Sequence, residues 1–160
     1  MVKKILTHIN KNKSPKMVDI IDKKISKRLA VAEGIIKFKK ETFYKISKLR
    51  TLKGEVKNIA ILSGIVGAKK TSELIPLCHN IPIDNIEIKI EKISLKYSIK
   101  VICEVRTSAK TGVEMEALTG VAITCLTIYD MYKSVDKEII IKKIKLVKKY
   151  GGKTGYFESK

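Results

Sequence analysis

Residues 111–137, TGVEMEALTGVAITCLTIYDMYKSVDK, carry the longest helical pattern in the chain. With Leu118 as reference, Val121, Ala122, Cys125, Ile128, Tyr129 and Tyr132 fall on one side at about 100° per residue, an amphipathic stripe. Thr111 stands three residues before Glu114, the spacing at which a hydroxyl and a carboxylate cap a helix start reciprocally. The pattern therefore predicts a helix from Gly112 or Val113 to Val135, about 35 Å long. Its charges are unusually placed. Glu114 and Lys133 project into or onto the edge of the apolar stripe, and Asp130 lies just beyond it. Acidic residues at the start and a lysine at the end suit the helix dipole, and Asp130 with Lys133 is an i,i+3 pair that can be a simple salt bridge. The other explanation is that this side of the helix faces a partner chain or lines a wet site.

The remaining patterns arrange themselves around that helix. Residues 28–38, RLAVAEGIIKF, alternate as a strand with a bulge expected at Gly34. Thr42 is placed to cap a short helix with Phe43, Ile46 and Leu49 on one face, and Lys53-Gly54 breaks it. Residues 55–69 predict a second helix packed through Val56, Ile59, Ala60, Ser63, Val66 and Gly67, with small residues that allow close approach. Pro76 and Pro82 make residues 70–83 a stiff, mostly apolar loop. Residues 84–91 and 95–105 alternate as a β-hairpin, and 139–147 form a last strand. The order is β, α, α, β, β, α, β. Without the extra helix it is βαββαβ, a ferredoxin-like α+β fold with helices on one face of an antiparallel sheet. Residues 1–26 read as a flexible basic arm, and 27–160 as a single α+β domain.

Charge adds a constraint on partners. The 160 residues include 34 Lys and Arg against 16 Asp and Glu, a formal net charge of +18. Such a field attracts phosphate-bearing partners. The charge runs from end to end, so by itself it does not choose between nucleic acid, anionic lipid and a polyphosphate ligand. Cys78, Cys103 and Cys125 are odd in number and lack CxxC spacing, so free thiols in a reducing, cytoplasmic setting are expected. No apolar run reaches membrane-spanning length, and no membrane partner is expected.

Candidate chemistry is sparse. GIVGAKKT at 64–71 has two residues between its glycines where a phosphate loop needs four, and it falls inside a predicted helix. Lys69 and Lys70 can still meet phosphate as point charges. Cys78 and His79 are adjacent on an extended loop and point apart; His8 is the other histidine, so no closed four-ligand metal site is expected. A histidine held by a stiff loop is better suited to acid–base work or substrate contact. RNA binding competes on charge, but Trp is absent, aromatics are 6% and no strand carries an RNP-type pattern. One geometric inference is sharper. Glu116 and Asp130 are 14 residues apart on one helix, so their backbones stand about 21 Å apart. If both serve one site, two copies of the helix must meet end to start, as a two-fold dimer allows.

Several motifs together point further. LIPLCH (74–79), TGVEMEALTG (111–120), YDMYKSVDK (129–137) and GGKTGY (151–156), with LTHIN (6–10) and MVDI (17–20), resemble the cyclic pyranopterin monophosphate synthase family of molybdenum cofactor biosynthesis over nearly the whole chain. Asn80 follows LCH where the family has proline. The resemblance implies a lyase that converts 3′,8-cyclo-7,8-dihydro-GTP to cyclic pyranopterin monophosphate and releases pyrophosphate. It implies no resident cofactor, although Mg²⁺ can accompany the triphosphate, and no nucleic-acid partner. Assembly as a homo-hexamer, a trimer of dimers with sites at the dimer interface, is expected. Asp130, Lys53 and Lys133 take the catalytic positions. Leu77, Cys78 and His79 form one substrate-binding segment and Glu114, Met115 and Glu116 another, with Lys153, Lys69 and Arg28 as further contacts. The alternative is a basic RNA-binding or scaffold domain on the same fold.

Overall fold

Strand β1, Ser26–Lys37, is the centre of the sheet. Its even-numbered residues from Ala30 to Ile36 are buried while Leu29, Val31, Glu33 and Ile35 stay half-buried, so one face meets the core. In the computed structural model, which describes residues 8–10, 12–46, 56–152 and 155–159, β1 leads into helix α1, Lys40–Ile46, and then α2, Val56–Lys69. The four-residue helix α3, Thr71–Leu74, interrupts the expected loop. Strands β2, Asn85–Ile93, and β3, Ser98–Ala109, form the expected hairpin. Helix α4, Glu114–Tyr132, is the long helix, followed by β4, Ile140–Tyr150, and β5, Tyr156–Glu158. The sheet is antiparallel in the order β2-β3-β1-β4-β5. This is the ferredoxin-like α+β arrangement with one edge strand added.

The bulge expected at Gly34 falls at that level, but its extra residue is in β4. Between the pairs Glu33↔Lys145 and Ile35↔Lys142, β1 advances two residues and β4 three, and Lys143 takes a φ of 57°. Opposite β3, β1 runs without interruption from Ser26↔Ala109 to Lys37↔Ser98. Strand β5 has no apolar alternation of its own; it exists because Gly151, Gly152 and Gly155, all at positive φ, fold the chain back onto β4.

Helix α4 lies across β1, β3 and β4, and α2 packs beside it over β2. Ala117, Val121, Cys125, Ile128 and Tyr132 join the core, Thr124 faces α2, and Gly120 sits between Cys103 of β3 and Ala68 of α2. The buried side is thus rotated from the one centred on Leu118, which is half-buried. Each buried Val or Ile contributes about 1.5–3 kcal/mol over an exposed one. Glycine sets the spacing between the two helices. A Cβ on Gly64 would stand 2.0 Å from Thr124 Oγ1 and 2.9 Å from the Gly120 carbonyl oxygen. The expected small-residue packing of α2 therefore holds at Ala60, Gly64, Gly67 and Ala68, whereas Val66 is 52% exposed. The helices run antiparallel: Gly64 meets Thr124, and Ala68 meets Gly120.

Two helix starts differ from expectation. Thr42 does not cap α1, which begins at Lys40; Asp136 does that work from across the fold, accepting the Lys39 N–H at 3.0 Å. The Thr111–Glu114 capping box does not form, because Val113 is the N-cap residue and no side chain caps it. Glu114 instead turns to Lys149 Nζ, 3.1 Å away, a cation that the sheet delivers to that spot. At the other end α4 stops at Tyr132, short of Val135, in a turn held by Val135 and Asp136 N–H bonds to the Tyr132 carbonyl.

Candidate active site

The N-terminal end of α4 is where the chain's separate motifs converge. Alternation along β4 places Lys149 opposite Ala30, on the helix-bearing face, so its ammonium reaches Glu114 at the start of α4. Arg28 lies on β1 opposite Thr107 and bridges the end of β3, donating from Nε to the Ala109 carbonyl and from Nη2 to the Lys110 carbonyl, both at 3.3 Å. Gly152, at a φ of 80°, passes close over the guanidinium; a Cβ there would sit 2.1 Å from Nη1. The positive φ at both glycines, and the Lys27 carbonyl against Gly151, give a physical reason for a glycine pair next to the last strand.

A cleft of about 820 Å³ opens at this junction, within the size range of small-molecule sites. Lys23, Lys24, Arg28, Lys110 and Lys149 line it, against Asp19, Asp22 and Glu114. Thr111, Gly112 and the Gly151-Gly152 pair complete the wall. Lys110 Nζ donates to the Ile21 carbonyl at 2.7 Å, which ties residues 19–24 to the end of β3. The excess of cations, several already anchored, suits a multiply charged anion.

Next to the cleft, the loop after α3 brings Leu77, Cys78 and His79, all half-buried, toward α4. His79 Nε2 stands 2.7 Å from the Val18 carbonyl. A carbonyl only accepts, so Nε2 is the donor in this contact. The same bond fixes the MVDI segment, whose Asp19 continues into the cleft wall. Burial pushes the Cys78 thiol above its usual range, and the charge of Glu116 pushes it further. The thiol is therefore protonated at neutral pH and is not an activated nucleophile. Glu116 is 4% exposed. Burial raises its carboxyl above the usual range, its own backbone N–H pulls the other way, and Glu114 raises it again. A buried carboxyl poised this way can hold or release a proton near a substrate.

The opposite end of α4 is built differently. Lys133 Nζ pairs with Asp130 Oδ1 at 2.6 Å, and both side chains are largely exposed. The hydrogen bond to Asp130, then its charge, raises the Lys133 ammonium above the usual range. Asp136, in the same motif, is buried and structural. Burial pushes its carboxyl up, but N–H bonds from Lys39 and Glu138 and the Thr42 hydroxyl hold it below the ordinary value. It fastens the end of α4 to the start of α1, beside the edge-to-face contact of Phe38 and Tyr132.

One chain thus brings together Arg28, Cys78, His79, Glu114 and Glu116, and leaves Asp130 and Lys133 at the far end of the helix. Met115 is 38% exposed beside Glu116. Lys69 is exposed at the C-terminal end of α2, on the side of the cleft end of α4. Lys53 and Lys153 lie outside the described residues. Lys149, Lys110, Lys23 and Lys24 were not singled out by sequence. For Lys149 a signal exists: extending the last strand three residues past Val147 puts it on the face of Ala30. Among the described residues, no three His, Cys, Asp or Glu side chains converge to hold a metal ion, and no helix is long and apolar enough to cross a membrane.

Comparison with known proteins agrees with the motifs. The chain is 48% identical over 155 residues to the cyclic pyranopterin monophosphate synthase of Helicobacter pylori, covering 97% of this chain and 98% of the relative. It is 45% identical to the proteins of that name from Cereibacter sphaeroides and Clostridium acetobutylicum, over 96% of this chain in each case and 97% and 96% of the relatives. A family model, described as the MoaC family, matches residues 17–152. From the MVDI segment that His79 fastens to the glycine pair over Arg28, the chain belongs to the MoaC family.

Proposed function

We propose that this chain catalyses the cyclic pyranopterin monophosphate synthase reaction of molybdenum cofactor biosynthesis. The substrate is 3′,8-cyclo-7,8-dihydro-GTP, and the chain acts as a lyase that forms a cyclic phosphate and expels pyrophosphate. The observation that carries this reading is a basic cleft walled by Arg28, Lys149, the start of α4 and the glycine pair, with His79 of the LCH loop fastened to Val18 just before its wall at Asp19, in a chain matched to the family over residues 17–152. RNA binding on the same fold is not favoured, since that match accounts for the cations without it.

The division of labour follows from the chemistry. Arg28 and Lys149, with Lys69 and Lys153, neutralise the triphosphate and stabilise the departing pyrophosphate. Leu77, Cys78 and Met115 shape the ring site, and His79, Glu114 and Glu116 supply polar contacts and protons to it. Ring opening, pyranopterin closure and attack on the α-phosphate each need a proton moved. In the attack, a hydroxyl oxygen bonds to the α-phosphorus, the bond to the bridging oxygen of the pyrophosphate breaks, and the hydroxyl proton passes to a base. Asp130, Lys133 and Lys53 form the acid–base group. The described C-terminal flank of the Lys53 segment, Val56, starts α2 at the Asp130 end of α4, as the antiparallel helix packing requires.

These two groups are about 21 Å apart along one helix, so the site needs residues from two copies. The reading therefore includes a two-fold dimer, assembled further as a hexamer. Free Cys78, Cys103 and Cys125 fit a cytoplasmic protein. Incubation with 3′,8-cyclo-7,8-dihydro-GTP should release pyrophosphate and form the cyclic monophosphate. No pyrophosphate from a folded, oligomeric preparation would end this reading.

A further inference from the structure

The loop that carries Leu77, Cys78 and His79 is held on both sides by distant parts of the chain. On the N-terminal side the Cys78 N–H closes a turn onto the Ile75 carbonyl at 3.0 Å, and His79 reaches Val18. On the C-terminal side the ladder between β2 and β3 begins at the pair Asn85↔Arg106. Before that pair, side chains take over. Thr107 Oγ1 donates to the Pro82 carbonyl at 2.5 Å, and the Asp84 carboxylate accepts the Ser108 N–H at 2.9 Å. The Asp84 N–H adds a bond to the Arg106 carbonyl at 3.1 Å. Thr107 is 3% exposed, a buried polar side chain whose hydroxyl is spent on this loop. It lies opposite Arg28, as Val105 lies opposite Ala30, so alternation along β3 turns it to the helix-bearing face. Ile81 and Ile83 of the loop pack against the core on that face.

We propose that Thr107, with Asp84 beside it, is a positioning residue for substrate binding, setting Cys78 and His79 relative to the basic cleft through its bond to Pro82; the identity of the substrate rests on the proposed function above. Proline has no N–H to give to a ladder. Its carbonyl is therefore the one backbone group by which residue 82 can be hydrogen-bonded to the sheet, and the Thr107 hydroxyl takes it. His79 and Pro82 are three residues apart, so their Cα atoms stand within about 11 Å of each other. Pro82 also restricts the backbone of Ile81 before it. A shift at Pro82 thus passes to His79 along a short, stiff tether. Thr107 shares its level in the sheet with Arg28, whose guanidinium is braced on the Ala109 and Lys110 carbonyls. One rung of the sheet therefore fixes both the loop and a cation of the cleft. The His79 bond to Val18 alone leaves the loop free to swing with residues 17–24; the Thr107 bond ties it to β3.

Cys78 reports the loop's position directly, because it is half-buried while Cys103 and Cys125 are fully buried. The full chain is treated with N-ethylmaleimide, and modification at Cys78 is followed by peptide mass. Thr107→Val keeps the shape and removes the donor. Cys78 should then be labelled about 3–10-fold faster than in wild type, the factor that corresponds to one lost hydrogen bond. Thr107→Ser keeps a hydroxyl and should return the rate to that of wild type. In turnover of 3′,8-cyclo-7,8-dihydro-GTP, Thr107→Val should raise KM by a similar factor with kcat within about twofold, and Thr107→Ser should restore it. A purely structural Thr107 would lower the melting temperature and leave the Cys78 rate and the KM of the folded enzyme unchanged. That result overturns the proposal, as does a fall in kcat at constant KM. If Thr107→Val does not fold, Asp84→Ala decides: it removes the neighbouring bond from an exposed position, and labelling of Cys78 no faster than in wild type overturns the proposal. Failure of the activity reading looks different: the labelling rates shift as expected while the unmodified enzyme releases no pyrophosphate.

Discussion

The two ends of α4 are made on opposite plans. At the N-terminal end Glu116 is 4% exposed, Glu114 is paired across the fold to Lys149, and Arg28 is braced on two carbonyls. At the C-terminal end the Asp130–Lys133 pair stands in solvent, with side-chain exposures of 66% and 59%. A buried, cross-braced group holds its geometry without a ligand, which suits binding and orientation. An exposed i,i+3 pair adds little to stability and can change partners at small cost. Under the proposed function the braced end is the receptor and the exposed pair supplies the acid–base groups, brought together between copies.

The largest effects should come from the exposed end. Lys133→Ala, and Lys53→Ala with it, should lower turnover by about 10²–10⁴-fold, the range for losing a general acid or base, with melting temperature nearly unchanged. Asp130→Asn should lose rate while a non-reacting analogue still binds, because Asn cannot take a proton. Single-turnover product formation beside an analogue titration separates these. A near-normal rate in any of the three removes that residue from the chemistry. If the ends belong to different chains at one site, mixing Lys133→Ala with Glu116→Ala should restore activity to about a quarter of wild type: half the dimers are mixed, and one site in each is intact. Recovery of nothing would place the whole site within one chain.

The receptor end should respond in binding. Lys149→Gln removes a charge-assisted contact worth about 1.5–3 kcal/mol, so KM should rise about 10–100-fold with a smaller change in kcat. The middle of the helix should respond in stability. Gly64→Ala forces α2 off Thr124 and should cost about 1–3 kcal/mol by thermal or urea unfolding, despite alanine's better helix propensity. Unchanged stability there would mean the helix pair is looser than the contacts indicate.

How much of this was legible in the sequence follows from which forces are local. Apolar periodicity is local, so the hairpin, the central strand and α4 could be placed, and with them the ferredoxin-like order. The small residues of α2 announced a close contact, and Gly64 makes it. Capping is less legible for one reason: the sequence offers Thr42 and the Thr111–Glu114 pair as local caps, while Asp136 and Lys149 come from far along the chain and outcompete them. The basic cleft was similarly hidden. Lys110 and Lys149 sit at strand ends, among many lysines, and only the sheet's register gathers them. The 21 Å between Glu116 and Asp130 needed nothing but helix geometry.

The smallest expected effect tests the receptor end most directly. Burial holds the Glu116 carboxyl above its ordinary value of 4.5, so the folded chain binds a proton more tightly there than the unfolded chain does. Stability tied to that proton is fully present below 4.5 and is lost as pH rises through the higher folded value. At neutral pH the ionised, buried carboxylate is therefore a cost to the fold. Glu116→Gln keeps the shape and removes the charge, so it should raise the melting temperature at pH 7 and lose that advantage as pH falls toward 4.5. Leu126 and Lys133, exposed at this helix's outer side, offer no such dependence through burial. Melting curves of Glu116→Gln and wild type across that range read the difference. Parallel curves at every pH would mean that Glu116 is solvated in the folded protein and that the two ends of α4 are less different than their burial indicates.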